Sequence, residues 1–308
     1  MNFKLSDQTL ELEISLIRGG LEIIESERDD IELSFAELRK NTADELFNIS
    51  FQDNLLLIKE HTWKKTGMPS AFLKNGTNHD LVLNVPVGTR FQGSIGTVSG
   101  DIMASSLNGS LQIKTISGQM TFGRIESKRL KLQNIGGNLK IDHMIGAINA
   151  RVISGKCLIA NGRITRFNFN SVSGDITVNA DFDLDRDSKI QTVSGDTEVN
   201  IRSYSGTGQI FISTLSGETA VKGDYPAEKI EIKKRMPFLK DNPFKSFMPA
   251  MKNFVSSFTR MADDDDDIEV QATTESEGSS EHVQQILQML SDGKITAEEA
   301  EKLINALK

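Results

Sequence analysis

Seven times between residues 98 and 218 the chain returns to one short phrase: VSGD, ISGQ, IGGN, ISGK, VSGD, VSGD and LSGE. The glycines are Gly100, Gly118, Gly137, Gly155, Gly174, Gly195 and Gly217, so successive returns lie 18, 19, 18, 19, 21 and 22 residues apart. A period this regular marks stacked structural repeats, each one too small to bury its own apolar face.

Aligned on the glycine, positions seven, five and two before it are mostly apolar, as in Leu111, Ile113 and Ile116, or Phe167, Phe169 and Val172. Positions two and four after it are apolar again, as in Ile102 and Ala104, or Ile176 and Val178. Alternation at a period near two predicts strands with one buried face, and no helical period occurs in this region. Each unit therefore holds about two short strands joined at a Ser-Gly corner, where glycine tolerates a positive φ. Rungs stacked about 4.8 Å apart would share one interior and pair their backbones above and below. The expected fold is mainly β, a single-chain β-solenoid with rungs of 18–22 residues over 91–226. A propeller needs a four-strand repeat of roughly 40 residues, which this spacing does not supply.

Residues 1–90 are also strand-like, with LELEISLIRGGLEII and LFNISFQDNLLLIKE alternating around Gly19-Gly20 and the Asp53-Asn54 turn. They are expected to be degenerate rungs leading into the regular ones, because terminal repeats must close the stack. No stretch of 18 apolar residues occurs, and the alternating N-terminus lacks the apolar run of a secretory signal, so a cytoplasmic location is the expectation. A single cysteine excludes an internal disulfide framework.

Charge separates sharply beyond residue 226. Residues 233–262 carry seven Lys/Arg and one Asp, a net of +6, whereas 263–281 carry nine Asp/Glu and no base, a net of −9. The overall −8 conceals these opposed blocks. In the basic block Phe244, Phe247, Met248, Met251, Val255, Phe258 and Met261 recur at spacings of three and four, predicting a basic amphipathic helical segment within 227–262, firmest over 249–262 behind Pro249. An acidic, disordered linker is expected over 263–279. Residues 280–308 read as a helical hairpin: Ser280 caps a first helix, Gly293 ends it, and Thr296 with Glu299 forms a capping box opening a second. Its apolar positions Ile286, Leu287, Leu290, Leu303, Ile304 and Leu307 form one face, and about 28 residues cannot supply a core alone. That face predicts self-association or docking on a protein partner.

The SGD-type rungs, the phrase LVLNVPVG before them and the strand-rich N-terminal region together resemble the bacterial "putative adhesin" β-strand-repeat family, a domain of unknown function. The stretch LSDGKITAEEAEKLINAL is similar to the SHOCT-like helical hairpins that accompany this family in some cell-envelope stress proteins of Gram-positive bacteria. The resemblance implies a β-solenoid binding or assembly module, in some members tied to envelope stress. A surface adhesin would need export, for which this N-terminus offers no signal.

Motifs that could carry chemistry read as structural ones. Carbohydrate-active solenoids need clustered acids and aromatic platforms, whereas this chain has one Trp (Trp63), two Tyr and four scattered His. Cys157 occupies a slot filled in other rungs by Ile102, Met120, Leu139 and Ile176, so it is expected in the core. Asp101, Asp175 and Asp196 stack at the corner, but Gln119, Asn138 and Lys156 interrupt any calcium ladder. The corner serines, from Ser99 to Ser216, are expected to form a hydroxyl ladder serving backbone groups. Asp263–Asp267 imitates an EF-hand loop, yet Ile268 stands where glycine is needed and Thr274 where the bidentate Glu belongs. No catalytic residue, cofactor or metal is expected.

The Phe/Met stripe admits two roles. It could cap the open end of the solenoid, hiding apolar interior and an unpaired edge. Alternatively it lies in an anionic membrane surface at the inner face of the cell membrane, with Phe247, Met251, Phe254, Val255 and Phe258 in the acyl boundary and Lys252 and Arg260 at the headgroups. Nucleic acid is not expected as a partner, because the aromatics lie on the face opposite most of the charge. The sequence thus points to a non-enzymatic scaffold, with a carbohydrate-binding or carbohydrate-active β-helix, or a surface adhesin, as alternatives.

Overall fold

The computed structural model describes residues 1–35, 46–60 and 80–234, together with Ala43. These residues build a β-solenoid of about eight turns. The N-terminal part contains β1 (Asn2–Phe3), β2 (Thr9–Leu16), β3 (Leu21–Ser26), β4 (Ile31–Phe35), β5 (Phe47–Gln52), β6 (Leu55–Glu60) and β7 (Leu81–Pro86). The regular rungs follow as β8 (Arg90–Ser99), β9 (Ile102–Ser117), β10 (Met120–Gly136), β11 (Leu139–Ser154), β12 (Cys157–Ile159) and β13 (Gly162–Ser173). The stack finishes with β14 (Ile176–Leu184), β15 (Ser188–Ser194), β16 (Thr197–Gly206), β17 (Ile210–Thr214), β18 (Thr219–Gly223) and β19 (Ile230–Lys234).

Successive rungs pair in parallel, one repeat apart: Met120 lies between Ile102 and Leu139, and Ile176 between Cys157 and Thr197. Side chains at alternate positions enter one continuous interior, where Ile113, Phe122, Ile141, Val178 and Ile212 are fully buried. Phe167, Phe169 and Phe182 pack together within it, the Phe169 and Phe182 ring centroids lying 5.7 and 5.4 Å from that of Phe167.

The corner glycine is required twice over. Gly137 has φ +130°, and a Cβ built on it would collide with the Gly118 carbonyl oxygen of the rung below. Backbone therefore stacks on backbone at this edge, and no other residue fits.

The structure corrects the corner in one respect. The residue two before the glycine is expected inside, and it is buried at Ile153, Val172 and Val193 but only partly covered at Ile116, Ile135 and Leu215, whereas the position three before it is inward in every rung. A strict period of two from Leu111 and Ile113 leads to Thr115, not Ile116. The inward column is Thr97, Thr115, Asn134, Val152, Ser171, Thr192 and Thr214, each at most 4% exposed. Several donate to corner carbonyls: Thr97 Oγ1 to Gly19 at 3.2 Å, Thr214 Oγ1 to Ser216 at 2.8 Å, and Asn134 Nδ2 to Gly137 at 3.0 Å. This internal column is the polar ladder that had been assigned to the corner serines, of which Ser99, Ser117 and Ser216 are exposed.

Chain order and stacking order differ at the N-terminal end. The rung made by β2 and β3 pairs with β8 and β9 on one side and with β6 and β7 on the other, so the first rung in sequence is interior in space. Beyond it the stack is closed by antiparallel strands: β4 on β7, β1 on β4, and β5 on β6. The β5–β6 hairpin turns at Asp53 and Asn54, with φ of 51° and 63°, the two left-handed residues that a two-residue type I′ turn requires.

At the other end the solenoid runs further than its sequence suggested. The boundary at 226, with a helical segment from 227, is displaced by a short 3-10 turn at Ala227–Lys229 and by β19, where Ile230 pairs with Ile210 and Ile232 with Ile212. The alternating IEIKK continues the period of two, and an available edge on β17 draws it into the sheet.

Candidate functional site: the corner and the open end

The residues expected to carry function, Phe247, Met251, Lys252, Phe254, Val255, Phe258 and Arg260, lie outside the described residues. So do the hairpin positions Ile286, Leu287, Leu290, Leu303, Ile304 and Leu307. The structure defines the surface from which that part of the chain departs.

At the corner the acidic residues are already occupied. Asp101 Oδ1 accepts the Gln119 N–H at 2.7 Å, Asn138 Oδ1 the Lys156 N–H at 2.9 Å, Asp175 Oδ1 the Asp196 N–H at 3.2 Å, and Asp196 Oδ1 the Glu218 N–H at 2.8 Å. Wherever Asp or Asn follows a corner glycine, at Asp101, Asn138, Asp175 and Asp196, its side chain thus holds the backbone of the next rung, which Asn does as well as Asp. No group of three or more His, Cys, Asp or Glu among the described residues is arranged to hold a metal ion. Cys157 sits in the core, and burial pushes its thiol up to about 12, where it is a poor nucleophile.

The C-terminal end is the exposed one. Among the described residues β18 pairs only with β16, and β19 only with β17. Val221, Tyr225 and Ile230 are partly covered and Ile232 is 45% exposed, so the last rung shows both an unpaired edge and apolar side chains. The Tyr204 hydroxyl donates to the Gly208 carbonyl at 2.6 Å beneath this rung, its pKa raised first by burial and then by the Asp187 charge. Lys234, the last described residue, lies in this terminal strand.

Rung after rung, residues 10–237 match the family described as Toastrack DUF4097. The chain belongs to that family. Residues 281–308, beyond the Toastrack solenoid, match a SHOCT-like domain. No functionally curated protein matches the chain. A crystal structure of a putative adhesin from Bacteroides fragilis NCTC 9343 is similar at 17% identity over 76% of this chain and 95% of that one. Its TM-score of 0.41 is too slight a likeness to argue from.

The alternating strands, the corner and Cys157's place in the core were legible in the sequence. The polar ladder was missed because apolar residue type was followed in preference to strict alternation. The extra strand β19 had a signal of its own, Ile230 and Ile232, hidden by the basic residues after it.

Proposed function

We propose that this chain is a non-enzymatic scaffold: a rigid Toastrack arm that assembles through its C-terminal hairpin, in the cytoplasm at the inner face of the cell membrane, in a cell-envelope stress response. The observation that carries this reading is the fusion of the solenoid to a SHOCT-like segment whose apolar face, Ile286, Leu287, Leu290, Leu303, Ile304 and Leu307, is too small to form a core by itself. Such a face finds burial on a second copy or on a protein partner. A non-catalytic role is supported by the corner, where acidic side chains serve as backbone acceptors, and by the burial of the one cysteine.

Sedimentation of the full chain tests the assembly. Intact protein is expected to sediment as a dimer or larger species, and Leu287→Asp/Leu303→Asp as a monomer with an unchanged solenoid melting transition. A monomeric intact chain at about 50 μM, well above the dissociation constant of a specific small interface, would overturn self-association. Membrane contact is a separate part of the proposal, supported by the +6 charge of 233–262 alongside Phe247, Met251, Phe254, Val255 and Phe258. Flotation with anionic liposomes is expected for the intact chain and not for Phe254→Glu/Phe258→Glu. Absence of flotation, with early melting of that variant, would instead assign the stripe to covering the open end of the solenoid.

A further inference from the structure

The strand that runs unbroken through β10 and β11 is interrupted in the next rung, between β12 and β13, at Ala160 and Asn161. Pairing with the rung below holds across the gap, from Ile141↔Ile159 to Met144↔Gly162. Pairing with the rung above does not keep step, because Ile159 faces Val178 and Arg163 faces Asp181, so four residues of one strand span three of its neighbour. This bulge opens a notch of about 540 Å³ on the outer face of the sheet, within the size range of small-ligand sites.

The notch is basic in a chain that is acidic overall. Arg124 and His143 are register neighbours below the gap, Arg163 stands just after it at the start of β13, and Asp181 and Arg202 lie above. The one carboxylate in the lining is already engaged: Asp181 Oδ2 accepts from Arg202 at 2.9 Å, and its Oδ1 accepts from Ser203 at 2.8 Å. Arg202 donates a second bond to the Gly162 carbonyl at 3.0 Å, which fixes its guanidinium on the wall. Arg124 has only a long contact to Glu126, at 3.6 Å between two half-exposed side chains, and Arg163 has no ion pair among the described residues. Two guanidinium groups are therefore left to face an incoming anion. Asn161 adds a polar atom of a different kind, since its Oδ1 is buried at the notch and has no donor. Gly162 cannot be replaced by a residue that would fill the space, because its Cβ would strike the Met144 carbonyl oxygen.

We propose that this notch is a binding site for a small phosphate-bearing sugar or polyol, with Arg124 and Arg163 on the phosphate and Asn161 Oδ1 accepting from a ligand hydroxyl. Guanidinium groups match the tetrahedral oxygens of a phosphate, and an unpartnered buried acceptor is satisfied by a hydroxyl and not by the anion itself. The inference stands apart from assembly through the hairpin, since every residue it uses lies in the solenoid.

Isothermal titration of the full chain with glucose 1-phosphate, inorganic phosphate and glucose tests it. Glucose 1-phosphate is expected to bind with a Kd on the order of 1 mM, weakened about tenfold in Arg163→Gln and in Arg124→Gln, as losing one charge-assisted hydrogen bond implies. Lys128→Gln, an exposed cation outside the notch, is expected to leave the affinity unchanged, and circular dichroism checks that all three variants keep their fold. No heat at about 50 mM ligand, far above the expected Kd, would overturn the site, as would an equal loss in Lys128→Gln. Equal affinity for inorganic phosphate would remove the Asn161 contact, and equal affinity for glucose would remove the role of the arginines.

Discussion

Among the described residues the two ends of the solenoid finish differently. At the N-terminal end β4, β1 and β5 run antiparallel to the last parallel strands, and Ile31, Leu33, Phe47, Leu56 and Ile58 are each at most 2% exposed. Carboxylates finish the closure: Glu60 Oε2 accepts the Ile17 and Arg18 N–H groups at 2.6 and 3.1 Å, and Asp80 Oδ1 accepts that of Gly20 at 2.8 Å. Arg28 bridges Asp30 and Glu32 at 2.6 and 2.7 Å beside the β1–β4 pair, adding charge to this closing layer. At the C-terminal end the described chain stops within the repeat, with β18 and β19 unpaired on their outer sides and Ile232 in contact with solvent. A parallel stack cannot end itself by adding another rung; it ends only where the chain abandons the repeat, and the N-terminal part does so with the antiparallel strands β4, β1 and β5.

The contrast is sharpest in a matched pair of substitutions. Leu33→Asp at the closed end buries a carboxylate with no partner and is expected to cost more than about 4 kcal/mol, enough to prevent folding. Ile232→Asp at the open end is expected to change stability by less than about 1 kcal/mol. Urea unfolding followed by circular dichroism compares them, and comparable damage from both would mean that the open end is covered in solution.

Corner glycines give a second, smaller contrast. Gly137→Ala in mid-stack combines a left-handed backbone with a collision against Gly118 and is expected to cost about 3 kcal/mol. Gly217→Ala meets the same obstacle against Gly195, but β18 has nothing above it among the described residues and can shift away. The expected cost there is about half as large, again about 1–2 kcal/mol for strain alone. Equal midpoints for the two variants would show the last rung to be held as rigidly as the middle ones.

Hydrogen exchange reads the difference without mutation. Amides of β18 and β19 are expected to exchange well before those of β6 and β7, since edge strands open at lower free energy than covered ones. Slow exchange at both ends would contradict an open C-terminal edge.

Cys157 reports the core between the ends, and its effect is the smallest. Its thiol is raised by burial from 9.0 to about 12, so any stability it contributes is complete below pH 9 and lost as pH rises toward 12. At pH 8 a disulfide-exchange reagent is expected to label it only at the rate of unfolding, and rapid labelling of the folded protein would show that the interior opens locally.

The solenoid was legible because its information is local and repeated: a period of two within strands and a period near 19 between corners both stand in the residue order. The same argument identified the Asp53-Asn54 hairpin, where two left-handed residues are demanded by the turn alone. It failed at the corner, where Ile116 looked like a core residue by type while Thr115 was one by position. It could not find the basic notch at all, because Arg124, His143, Arg163 and Arg202 come from different rungs and meet only through register.

Residue order by itself determined the rung, its two faces and its glycine corner, since each of these depends on neighbours a few residues away. Only the tertiary structure decided that the first rung is interior, that antiparallel strands close the N-terminal end, that Asp101, Asn138, Asp175 and Asp196 accept backbone N–H groups of the next rung, and that one bulge gathers three arginines. Those outcomes depend on which strand lies above which, and stacking order is set by backbone pairing between residues that the chain itself keeps far apart.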